Sequence, residues 1–109
     1  FLAEWLVDNF EVVRFEDHSA EYRMDIWLDE KRIVPEQFAE HEVISYGFTP
    51  ESEVQDFPVR GKAVFLHLRR RKWQETRTGK VVSRSFEITH RGTRLTRELV
   101  AFLKATNRE

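Results

Sequence analysis

The sequence predicts an α+β fold: an antiparallel β-sheet with hairpins, flanked by an N-terminal and a C-terminal helix. Three observations carry this. Leu2, Trp5, Leu6 and Phe10 recur at helical spacing near the start, as do Leu95, Leu99, Phe102 and Leu103 near the end. Tyr22, Met24, Ile26 and Leu28 alternate with Arg23, Asp25, Trp27 and Asp29, a period of two with one apolar face. Between residues 43 and 89, β-prone runs are separated by Gly and Pro.

With 109 residues the chain has room for one domain, taken as 1–109. Apolar residues make up 40%, too many for a disordered tail. There is no cysteine, which excludes disulfides, thiol catalysis and cysteine-based zinc sites and fits a reducing interior. No apolar run approaches the ~20 residues of a membrane span, and no signal peptide is visible. An opening Phe1 is what a fragment of a longer protein would give. A cytoplasmic location follows as the expectation, without a membrane partner.

The elements are expected in this order. A helix runs from Phe1 to Phe10, with Glu4 and Asp8 on its wet side. Val12 to Glu16 and Tyr22 to Leu28 pair as an antiparallel hairpin across Asp17-His18-Ser19-Ala20. Pro35 opens a short helix at Glu36 to Glu40, since proline is accepted in a first turn. Val43 to Phe48 and Glu53 to Phe57 are strands, the second stopped by Pro58. Arg60-Gly61-Lys62 turns the chain into its strongest strand, Lys62 to Trp73. Thr76-Arg77-Thr78-Gly79 then leads into a partner strand, Val81 to Thr89, with Trp73 opposite Val82 and Arg71 opposite Arg84. Thr93 or Thr96 caps the last helix.

A net charge of −1 hides a division. Residues 1–58 carry 4 cations and 15 anions, a balance of −11, whereas residues 59–109 carry 14 cations and 4 anions, a balance of +10. Such asymmetry points to an anionic partner for the basic half. The other explanation is internal, with the acidic half folded against the basic half.

The informative stretch is Phe65-Leu66-His67-Leu68-Arg69-Arg70-Arg71-Lys72-Trp73. Four consecutive cations at a strand end put two on each face. Arg71 facing Arg84 would be repulsive, and a phosphate between them would relieve this. Arg77 and Lys80 in the turn, and Arg94 and Arg97 in the last helix, extend the same basic surface. The residues expected to contact DNA phosphates are therefore Arg69, Arg70, Arg71, Lys72, Arg77, Lys80, Arg84, Arg94 and Arg97. Catalytic signals are missing from the sequence: there is no nucleophile elbow, phosphate loop or dinucleotide fingerprint. His18, His41, His67 and His90 do not follow a metal-ligand spacing, so neither a metal nor a cofactor is expected.

Val54 to Trp73 resembles the N-terminal head of bacterial insertion-sequence transposases. The shared features are an Asp-hydrophobic-Pro turn (Asp56-Phe57-Pro58), Gly61, the strand Val64-Phe65-Leu66-His67-Leu68, the basic cluster and Trp73. Gly92 to Leu103 resembles the segment that follows. Such heads usually continue into a zinc ribbon, but Gln74 and Glu75 stand where its first cysteine would be, so the chain is similar to a cysteine-free variant. The resemblance implies a non-catalytic head that contacts double-stranded transposon-end DNA. It implies a separate transposase catalytic core as partner and a place at the bacterial nucleoid. A hairpin held by Phe65, Trp73, Val82 and Phe86 would organise the head in place of the metal. The alternative function is a protein-interaction or dimerisation module, in which the acidic half of one copy meets the basic half of a second.

Overall fold

The computed structural model describes residues 2, 4–38, 42–84 and 96–104. Its elements run α1 (Glu4–Asn9), β1 (Phe10–His18), β2 (Arg23–Glu30), β3 (Val43–Phe48), β4 (Ser52–Val59), β5 (Lys62–Arg69), β6 (Arg71–Glu75), β7 (Val81–Ser83) and α2 (Arg97–Lys104). The expected α+β class holds, with a helix at each end of a mainly β chain. The helix expected at Glu36 to Glu40 is a 3-10 turn over Glu36–Phe38.

The strands form two sheets, β1-β2-β5-β4 and β3-β6-β7. The hairpin of β1 and β2 is antiparallel, with Phe15 opposite Ile26 and Val12 opposite Leu28. One pairing departs from the antiparallel expectation: β2 and β5 are parallel, with Ile26 beside Leu66 and Leu28 beside Leu68. Both strands bring an apolar row to the same face, which makes them natural central neighbours. The β4–β5 hairpin turns through Arg60 and Gly61, both at positive φ (49° and 77°). Two positive φ values match the twist of a two-residue hairpin, and glycine takes the second at little cost. Pro58 does not stop β4, which continues to Val59. It lies where the register slips between Asp56 and Val59, on an edge strand where a missing N–H is tolerated.

The long strand expected over Lys62 to Trp73 is two strands in two different sheets. They meet at Arg70, whose carbonyl accepts from the Thr49 amide (2.7 Å) and whose amide donates to Thr49 Oγ1 (3.0 Å). Buried Thr49 thus satisfies both backbone groups of the residue that leaves one ladder for the other. Beyond that handover the expected register holds, with Trp73 opposite Val82 and Lys72 opposite Ser83. Before it the expected register fails. Phe65 lies between Asp25 and Gln55, and His67 between Trp27 and Glu53, so neither joins the hairpin thought to replace the metal. Phe86, Ile88 and His90 of the expected partner strand are outside the described residues.

The core is the apolar face of the four-stranded sheet, covered by the helices. Leu6, Phe10, Ile26, Leu28, Val54, Val64, Leu66, Leu68, Leu99 and Leu103 are all buried there. Thr96 caps α2 as expected, its Oγ1 accepting from the Leu99 amide (3.2 Å). No helix among the described residues is long and apolar enough to cross a membrane.

Leu66 is fully buried on a central strand. Leu66→Ala is expected to cost about 3 kcal/mol, and Thr96→Ala about 1 kcal/mol. Urea denaturation followed by tryptophan fluorescence checks both values and their order.

Candidate functional site

The face of the four-stranded sheet opposite the core is built from the odd-numbered residues of β2 and β5. Parallel pairing sets Asp25 next to Phe65, Trp27 next to His67 and Asp29 next to Arg69. β4 and the residue before it add Glu53 and Glu51, and β1 adds Arg14, Glu16 and His18. Acidic-half and basic-half side chains therefore interleave on one surface.

His67 is its centre. Its Nε2 lies 2.7 Å from Asp25 Oδ1, and its Nδ1 lies 3.2 Å from Glu51 Oε2. Trp27 stacks on the imidazole, with ring centroids 4.3 Å apart and planes 10° from parallel. Arg14 lies over the indole at 4.6 Å. Asp25, only 4% exposed, is gripped by Arg23 through Nε (2.9 Å) and Nη2 (2.8 Å). The same Nη2 reaches Glu53 Oε1 at 2.6 Å. The Arg23 grip pulls the Asp25 carboxyl down to about 2, aided by His67 and opposed by burial. His18 Nε2 approaches Asp25 Oδ2 at 3.9 Å and bonds Glu16 Oε1 at 3.0 Å.

The basic tetrad meets a different fate from the one expected of it. Arg69 makes a two-pronged bond to Asp29 (2.7 and 2.6 Å), which raises the guanidinium pKa further, and it lies over Phe48 at 4.3 Å. Arg70 is buried at 4% exposure and donates to the Arg84 carbonyl. Burial lowers its pKa and raises that of the nearby Glu30, whose charge in turn favours the cation. Arg71 bonds Ser45 Oγ (2.7 Å) and the Glu30 carbonyl (3.4 Å) and shares the Phe48 ring at 4.5 Å. Lys72 is half-buried in β6. Arg84 donates to Asn9 Oδ1 at 3.1 Å.

The single basic surface expected of these cations is therefore not left open along its whole length, because Asp29 and Glu30 of the acidic half engage Arg69, Arg70 and Arg71. The turn between β6 and β7 is another matter. Arg77 and Lys80 are exposed, and their side chains have no partner among the described residues. Thr76, Thr78 and Gly79 are exposed beside them. Arg97 is exposed at the start of α2, and Arg94 is outside the described residues.

Asp25, Glu51, Glu53 and His67 were not singled out as site residues from the sequence. The available signal was two polar faces of matching spacing, Arg23-Asp25-Trp27-Asp29 and Phe65-His67-Arg69, which only the parallel pairing brings side by side. Two depressions flank this architecture. One of about 300 Å³ opens on the polar face against Trp27, His67 and Arg69. Another of about 910 Å³ lies at the opposite face between Phe15, Met24, Phe57 and Val59. In comparisons with known proteins, no family model, curated protein or solved structure matches the chain.

The lowered Asp25 pKa links stability to pH. Asp25 contributes fully above its ordinary value of 3.8, and the contribution is lost as pH falls from there through about 2. In thermal melts across that window, the native chain is expected to lose Tm more steeply than Asp25→Asn, whose lower Tm at neutral pH should change less.

Proposed function

We propose that the chain is a non-catalytic, DNA-contacting head that works beside a separate transposase core and meets the duplex with the tip of its β6–β7 hairpin. The observation that carries this is the exposed turn Thr76-Arg77-Thr78-Gly79-Lys80, whose two cations are unpaired among the described residues. A two-stranded ribbon fits a DNA groove, and cations flanked by hydroxyls are the groups that contact phosphates. Gly79 at φ 74° keeps the turn tight enough to present them. The likeness of residues 54–73 to insertion-sequence transposase heads supports transposon-end DNA as the ligand. In this reading Arg77 and Lys80 lead, Lys72 and Arg97 assist, and Arg69, Arg70 and Arg71 shape the scaffold.

With about three phosphates engaged, log K against log salt should fall with a slope of roughly −3. Fluorescence anisotropy on an end-sequence duplex at several salt concentrations measures it. The double variant Arg77→Ala/Lys80→Ala is expected to flatten the slope by about 2. Arg69→Ala should lower stability by roughly 1 kcal/mol and leave the slope unchanged. A flat salt response in the native chain, or a double variant that binds like it, would refute the reading.

A second reading, dimerisation, has one observation in its favour. β1 is an edge strand, and Val12, Val13 and Phe15 on it are each about half exposed. Exposed edges of this kind are templates for a further strand. Sedimentation velocity separates the two readings: a monomer that shifts DNA supports the first, and a dimer lost in Phe15→Lys and indifferent to DNA supports the second.

A further inference from the structure

We propose that Asp25, Glu53 and His67 form a binding site for one divalent transition-metal cation of the zinc class, with Arg23 as the counter-cation that holds it when no metal is bound. The three side chains come from β2, β4 and β5, and one donor atom of each lies within 4.8 Å of the other two. His67 Nε2 stands 2.7 Å from Asp25 Oδ1 and 3.9 Å from Glu53 Oε1. Ligands of one tetrahedral zinc ion lie about 3.3 Å apart, so these separations bracket the required value.

The orientation of the imidazole is the second, independent reason. The ring lies between two carboxylates, with Glu51 Oε2 3.2 Å from Nδ1 and Asp25 Oδ1 2.7 Å from Nε2, and in the tautomer that donates Nδ1–H to Glu51 the other nitrogen is free to ligate a metal. In that tautomer Nε2 is directed at Asp25 Oδ1 and Glu53 Oε1, the two oxygens that Arg23 Nη2 now bridges. A carboxylate behind the far nitrogen of a histidine ligand is the usual support for a zinc-binding imidazole. Trp27 packs flat on the ring and fixes its plane. Mixed imidazole and carboxylate donors suit zinc and its neighbours over calcium or magnesium. Three protein ligands would leave a coordination position for water.

Arg23 is the competitor. It neutralises Asp25 and Glu53 and lies over the Phe65 ring at 3.8 Å, with its side chain 35% exposed. Metal entry requires that this guanidinium swing outward from Asp25 and Glu53 and that Nε2 of His67 carry no proton. Arg23→Gln removes the competitor and is expected to tighten binding, the reverse of what a purely structural cluster would show.

The test uses tag-free, chelator-stripped chain at neutral pH, titrated with Zn2+ by calorimetry and with Co2+ by visible absorption. One equivalent should bind, with ligand-field bands for Co2+. Arg23→Gln should bind about tenfold tighter, and Glu51→Gln about tenfold weaker. His67→Gln should abolish the Co2+ bands. Glu53→Gln, at a half-exposed position, should weaken binding and guards against a histidine variant that fails to fold, as circular dichroism would show. The absence of saturable binding in both the native chain and Arg23→Gln overturns the proposal and leaves the cluster purely structural. Affinity unchanged from the native chain in both His67→Gln and Glu53→Gln overturns it as well. DNA binding enters neither readout, so this proposal fails or stands apart from the DNA-contacting reading.

Discussion

The parallel pairing of β2 with β5 is the constraint on which the rest depends. It joins the acidic first half of the chain to the basic second half through two central strands. Its apolar rows, Ile26 and Leu28 beside Leu66 and Leu68, supply the middle of the core. Its polar rows set Asp25 against His67 and Asp29 against Arg69. Because a strand alternates its faces, these two outcomes are inseparable: a register shift by one residue would lose both together. The charge division along the sequence is therefore partly an internal complementarity. Exposed ion pairs contribute little stability, so its effect lies more in selecting this register over its neighbours than in strengthening the fold.

The handover at Arg70 explains what became of the basic tetrad. A strand that stayed in one sheet would have pointed its four cations alternately to the two sides. Transfer from β5 to β6 instead buries Arg70, which donates to the Arg84 carbonyl and feels the charge of Glu30. A buried cation demands an anion, and a buried carboxylate demands hydrogen bonds, one of which Glu30 Oε1 takes from the Arg71 amide at 3.2 Å. Arg69, Arg70 and Arg71 thus span the junction of the two sheets and are engaged there by Asp29 and Glu30.

Local patterns were legible and distant pairings were not. The β1–β2 hairpin, the Arg60-Gly61 turn, the Trp73–Val82 register and the Thr96 cap all follow from signals within about twenty residues, where periodicity and turn chemistry decide. The β2–β5 ladder joins residues about forty apart, and nothing in either strand alone names its partner. A partner strand at residues 81–89 leaves no place beside His67 for Trp27 and Glu53, which the two neighbours of β5 supply. Arg70 was misread for a related reason. The break in a run of fourteen strand-forming residues is made by Thr49, which is twenty-one positions away.

Charge count and charge availability thus part company in this chain, and availability is what a polyanion can use. Arg69 and Arg71 hold a salt bridge, hydrogen bonds and a shared aromatic ring, so a phosphate would have to replace contacts already made. Arg77 and Lys80 hold no such contacts among the described residues, so a phosphate there costs only the ordering of two side chains. The same logic separates the two surfaces of the molecule. The sheet face around His67 gathers Asp25, Asp29, Glu51 and Glu53 and is the face proposed to take a small cation. In the proposed reading the hairpin tip takes an extended anion. The fold keeps these opposite preferences apart by spending the middle of the basic run on joining its own halves.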